Sequence, residues 1–83
     1  MRKSIYTQEQ IAFQGLLRRH RVAAGHTQAS FAAEIDAPQS FVSKYEAGER
    51  RLDLPELRQI CRALGVTLEE FVAEWEQEIK AKG

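Results

Sequence analysis

The residues best suited to chemistry in this 83-residue chain form one short polar run, Gln39-Ser40-Phe41 followed by Ser43-Lys44. A glutamine amide donates and accepts at once, so it can bond both groups that adenine shows in the major groove. Lysine and serine reach other base-edge acceptors, and an aromatic ring can lie against a thymine methyl. Upstream, Thr27 and Gln28 stand where a helix begins, and the free N–H groups of a helix start suit a phosphate. Downstream, Arg50 and Arg51 follow the run and can face the sugar-phosphate backbone. By themselves these residues read as a solvated helix face; the chemistry they would support on a binding helix is recognition of double-stranded DNA. Gln39, Ser40, Phe41 and Lys44 would read bases, and Thr27, Gln28, Ser43, Arg50 and Arg51 would hold phosphates.

Other chemistries find little support. There is no Ser/His/Asp arrangement, no glycine-rich phosphate loop and no paired carboxylate of the kind that catalysis uses. His20 and His26 have no acidic or cysteine ligand at coordinating spacing, so no metal site is expected. Cys61 is the single cysteine; it has no disulfide partner in the chain and reads as core filler. The expectation is a protein that is not an enzyme and needs no cofactor. No small-molecule effector is expected either, since no second domain exists to hold one.

Length and composition allow one domain, residues 1–83, with a modest core. Hydrophobic residues make up 43% and charged residues 29%, an ordinary globular balance. No apolar run approaches a membrane span, and no signal-peptide core follows the first residues, so a cytoplasmic, uncleaved protein without a membrane partner is expected. The zero net charge hides an asymmetry. Residues 1–68 carry ten Lys/Arg against seven acids, a net +3, whereas residues 69–83 carry two lysines against five acids, a net −3. A basic body is masked by an acidic tail.

Start and stop signals divide the chain into five helices. Thr7 with Gln10 opens the first, and Gly25 ends it near Ala24. Its apolar stripe is Phe13, Leu16, Leu17, His20 and Ala24, with a histidine inside it. Thr27 caps a short helix over Gln28–Ile35 that buries Phe31, Ala32 and Ile35. Asp36-Ala37-Pro38 breaks the pattern. A third helix then runs from about Pro38, tolerated in a first turn, to Ala47, with Gly48 as its stop. Only Val42 and Tyr45 in it read as core. Asp53 with Glu56 caps the fourth helix, whose stripe is Leu54, Leu57, Ile60, Cys61 and Leu64, ended by Gly65. Thr67 with Glu70 caps the fifth, over about 68–82, with Leu68, Phe71, Val72, Trp75 and Ile79 on one side. Helices 2 and 3 are joined by a turn too short for antiparallel packing and must cross steeply, as a helix-turn-helix does. A third helix with two core residues and a polar remainder suits a major groove.

The run Thr27-Gln-Ala-Ser-Phe-Ala-Ala-Glu-Ile35, followed by Pro38-Gln-Ser-Phe-Val-Ser-Lys-Tyr-Glu-Ala-Gly48, resembles the Xre/Cro family of phage and bacterial repressors. Arg50-Arg51-Leu-Asp-Leu-Pro-Glu-Leu57 and Ala63-Leu-Gly-Val-Thr-Leu68 extend the resemblance, which covers Leu17 to about Phe71. It implies an all-α, five-helix lambda-repressor-like domain with a family-like core over about 12–71. It also implies a phosphate clamp at Gln28, base-facing residues at Gln39, Ser40 and Lys44, and a structural ion pair between Arg21 and Glu46. Two positions depart from the family pattern. Asp36 stands where glycine is usual, and aspartate tolerates a left-handed backbone better than most residues. His20 takes a place usually given to leucine.

The fifth helix carries a longer stripe than a small core needs, and an exposed tryptophan on a small domain suggests a partner surface. Phe71, Val72, Trp75 and Ile79 are therefore expected to dimerise the chain, since a palindromic operator needs a two-fold dimer. The leading expectation is a dimeric repressor or autoregulator, with a small controller protein of a restriction-modification system as a close variant. The competing expectation is an antitoxin or other protein-binding module whose DNA binding is secondary.

Overall fold

Three glycines and one aspartate set the stops of this chain. Gly25, Gly48 and Gly65 all take φ near +82°, and Asp36 takes φ 56°. In the computed structural model, which describes residues 7–82, these stops separate five helices: α1 (Gln8–Ala23), α2 (Gln28–Glu34), α3 (Gln39–Ala47), α4 (Leu54–Leu64) and α5 (Leu68–Lys82). No strand is present among the described residues. Asp36 meets the left-handed demand of the turn where glycine is usual. The amides of Asp36 and Ala37 donate to Ala33 and Ala32 carbonyls at 3.2 and 2.9 Å, closing the end of α2.

Four of the five helix starts satisfy a donor that the helix itself leaves free. Thr7 accepts from the Gln10 amide, and Asp53 with Glu56 forms a reciprocal capping box. Thr67 and Glu70 exchange two bonds of 3.0 Å. The reciprocal partner of Thr27 is Ser30, standing where a capping box usually has Glu or Gln. Two boundaries differ from expectation by one residue. Ile35 is the C-cap of α2 rather than its last residue, and Pro38 is the N-cap of α3 rather than its first helical residue. Pro38 sits at ψ 152° and offers no side-chain cap.

The core is shared by all five helices. Leu16 and Leu17 of α1, Phe31 and Ala32 of α2, Val42 and Tyr45 of α3, Leu57, Ile60 and Cys61 of α4 and Phe71 of α5 form one buried cluster. Burial pushes the Cys61 thiol up to about 11, and it also raises the Tyr45 hydroxyl above the usual tyrosine range.

The fifth helix packs closer to the body than its sequence suggests. Phe71 is 1% exposed inside the core, so it is removed from the expected dimer surface. Trp75 is half-buried against α1, its indole Nε1 donating to the Glu9 carbonyl at 2.9 Å and its ring 6.5 Å from Phe13. The first turns of α1 reach back over α5, which is how a core of this size finds room for the tryptophan. Ile79 is half-buried and Val72 remains 37% exposed. His20 also belongs to this seam, with Nε2 2.7 Å from Glu74 Oε1 and its ring 5.8 Å from Phe71. Arg19 pairs with Glu78 one turn further along. An imidazole in a leucine position thus trades apolar packing for a tie between α1 and α5. Ile5 and Tyr6, which a dimer interface on the N-terminal segment would use in place of α5, lie outside the described residues.

Candidate nucleic-acid interface

The geometry of α3 sorts its residues by face. Val42 and Tyr45, three apart, point inward and are buried. Gln39, Ser40 and Lys44 are exposed, and Ser43 is partly so. Gly48 ends the helix with its amide on the Tyr45 carbonyl at 3.3 Å, and the Glu49 amide returns to Lys44 at 2.8 Å. The result is a nine-residue helix with one face anchored and the opposite face polar.

Phe41 was expected on that polar face, and the structure corrects this. Its ring is packed against the core, 5.3 Å from Tyr45 edge to face. The Arg50 guanidinium lies over it, 4.8 Å from the ring centre. The signal was present in the spacing, since Phe41 precedes the core residue Tyr45 by four and so shares its face.

Behind α3, a buried ion pair locks three helices together. Arg21 Nε is 2.7 Å from Glu46 Oε2, and the two side chains are 9% and 5% exposed. A second guanidinium nitrogen reaches Glu46 Oε1 at 3.1 Å, and a third bond of 2.8 Å goes to the His26 carbonyl. The hydrogen bonds that Arg21 donates to Glu46 raise its pKa despite its burial. Glu46 Oε1 also accepts from Gln28 Nε2 at 3.1 Å. The carboxylate therefore orients the side chain at the start of α2 as well as closing the α1–α3 contact. Arg18, Gln28, Ser43 and Ala47 line a shallow notch beside this pair. Thr27 stands at the N-cap of α2, its hydroxyl accepting from the Ser30 amide at 3.0 Å. Arg18 did not stand out among the surface charges of the sequence. Its place follows from its position one helical turn before Arg21.

The loop after α3 separates its two arginines. Arg50 was expected on a phosphate, but its guanidinium is engaged inside the chain. Nη2 lies 2.6 Å from Glu56 Oε2, Nη1 lies 3.2 Å from Glu56 Oε1, and Nη1 also donates to the Arg51 carbonyl. These contacts raise the Arg50 pKa and lower that of Glu56. In the sequence Glu56 reads only as a helix cap, because an arginine six residues earlier is no helical neighbour. Arg51 is exposed.

Comparison with known proteins turns this geometry into a family assignment. A helix-turn-helix family model matches residues 17–71, the span from the middle of α1 to the start of α5. The chain is similar to an XRE-family-like protein of Pseudomonas syringae, at 42% identity and a TM-score of 0.77, over 83% of this chain and 84% of the other. The chain belongs to the Xre-type helix-turn-helix family. Control protein C.MunI of a Mycoplasma species is 40% identical over 52 residues, 63% of this chain and 70% of that protein. The clp gene regulator ClgR of C. glutamicum shares the fold, with a TM-score of 0.77 at 22% identity over 93% of this chain and 99% of that one.

Membership in this family makes the chain a DNA-binding transcriptional regulator with an all-α, lambda-repressor-like fold. The Xre-type family is one of regulators and not of enzymes. Among the described residues no helix is long and apolar enough to cross a membrane.

Proposed function

We propose that the chain acts as a homodimeric repressor or autoregulator that reads a palindromic operator through α3. Gln39, Ser40 and Lys44 contact base edges in the major groove. Thr27, Gln28, Ser43 and Arg51 hold the phosphates on either side. The observation that carries this reading is the polar, exposed face of α3, set on a helix whose other face is anchored by Val42 and Tyr45. A side chain fixed at its base and free at its tip is what direct readout requires. The notch that brings Gln28 and Ser43 together supports a phosphate position beside that face. The similarity to a control protein supports a regulatory role for the binding.

Dimerisation through α5 gives the two copies of α3 the spacing of a duplex turn, about 34 Å. Val72 and Ile79 supply the apolar surface, and Trp75, tied to Glu9, stiffens it from below. The acidic residues of α5 keep this face away from phosphates.

Selection from random duplexes tests the reading. Purified protein is bound to the pool, retained duplexes are sequenced, and the expected outcome is a two-fold symmetric consensus. A consensus without symmetry would remove the dimer. Recovery of unselected sequence alone would remove the sequence-specific role.

A further inference from the structure

We infer that Arg50 is a positioning residue of the DNA-binding loop, held by Glu56 and Phe41 so that Arg51 is the cation presented to the DNA backbone. This rests on the DNA-binding reading above and concerns how the α3–α4 loop serves it. A guanidinium offers five N–H donors in a planar fork. In Arg50, Nη1 serves both the Arg51 carbonyl and Glu56 Oε1, while Nη2 serves Glu56 Oε2 at 2.6 Å. One face of the plane is covered by the Phe41 ring. Three of the five donors are thus spent, and a phosphate reaching the remaining Nε and Nη2 hydrogens would sit beside the Glu56 carboxylate.

The local charge argues the same way. Arg50 faces two carboxylates, Glu56 in direct contact and Asp53 close by, and both act to raise its pKa. Asp53 and Glu56 are themselves held in place by the capping box of α4, with bonds of 2.9 and 2.8 Å. The cluster carries a net negative charge, which repels an anion. Arg51 contrasts with it: its side chain is exposed and makes no hydrogen bond or ion pair to another of the described residues.

The contacts of Arg50 also fix the path of the loop. The chain leaves α3 through the left-handed Gly48, and Leu52 drops onto the core. Between them, Arg50 bonds α4 through Glu56, stacks on α3 through Phe41 and donates to the peptide that carries Arg51. It therefore links the reading helix, the loop and the next helix at one point. Its replacement frees the residue next to it.

Fluorescence anisotropy on a random-sequence duplex, followed against salt, separates a positioning role from a phosphate contact. Arg51→Gln is expected to lower the salt slope by about one unit, as loss of one phosphate contact does. Arg50→Gln is expected to leave the slope nearly unchanged while weakening binding by about two- to tenfold, the range of one net hydrogen bond. Glu56→Gln preserves an acceptor for the Asp53 amide but ends the ion pair. It is expected to weaken binding by a similar factor, although it removes a negative charge and simple electrostatics predicts a gain. Arg50→Lys keeps the charge without the fork and is expected not to rescue. The Arg50→Gln/Glu56→Gln double variant should lose no more than either single change. Circular dichroism melts ensure that every variant is compared while folded.

The inference is overturned if Glu56→Gln binds more tightly with a steeper slope and Arg50→Lys restores wild-type binding. Arg50 would then be a phosphate ligand that Glu56 competes for. Failure of the unmodified chain to bind any duplex is a separate result, and it would overturn the DNA-binding reading itself.

Discussion

At the scale of single residues, the Arg21–Glu46 pair shows how much one buried contact can carry. Two charges withdrawn from water are tolerable only because each meets several partners, and Glu46 meets both Arg21 and Gln28. Removing one partner strands the other. Glu46→Ala is expected to lower stability by about 3–5 kcal/mol, read by urea denaturation, with no change in oligomeric state. An unchanged midpoint would show that Arg21 escapes to solvent at little cost. Cys61 gives a second residue-scale expectation, this one pH-dependent. Its thiol titrates near 9 when exposed and is pushed up to about 11 in the core. The folded state therefore holds the proton more tightly. The stability it contributes is fully present below pH 9 and is lost as pH rises toward 11, by about 2–3 kcal/mol over that window. Tyr45 titrates in the same direction, so the comparison is with Cys61→Ala, whose stability should fall less steeply above pH 9. Parallel pH profiles for the two proteins would contradict the assignment.

At the scale of elements, α3 divides its labour between one anchored and one free face. Gln39→Ala and Lys44→Ala touch nothing in the core, so neither should change the melting temperature. Each is expected to weaken binding to a selected operator by about 1–3 kcal/mol while leaving binding to random duplex nearly intact. Equal losses on both kinds of DNA would move that residue from base reading to phosphate contact. Substituting Phe41 has a different expected consequence. Its ring supports Tyr45 and carries Arg50, so a smaller side chain disturbs the α3–α4 junction rather than a base contact.

At the scale of the whole molecule, α5 is both a wall of the core and the proposed seam between copies. Phe71 and Trp75 face inward, and His20–Glu74 and Arg19–Glu78 bind the helix to α1. Trp75→Ala would therefore weaken the fold and the dimer together, so it cannot distinguish the two. Val72, 37% exposed, is the cleaner probe. Val72→Glu is expected to leave the melt of the monomer nearly unchanged, shift sedimentation toward monomer at micromolar concentration, and weaken operator binding without touching DNA. A variant that remains dimeric would place the interface on another face of the chain.

The sequence by itself determined the five helices, their stops and the family, because those depend on local chemistry. A threonine or aspartate before an apolar stripe caps a helix, and a glycine after it accepts the left-handed turn wherever the element lies in space. Asp36 was legible for the same reason, since one backbone angle decides it. The polar face of α3 followed from helical periodicity. Only the tertiary structure decided which side chains are already occupied. Arg50 meets Glu56 across a loop and Trp75 meets Glu9 across 66 residues of chain. Phe71 lies under α1 because two distant helices close over it. Periodicity says which residues share a face of a helix. Whether that face is free depends on how the helices pack around the shared core, which brings together residues far apart in sequence.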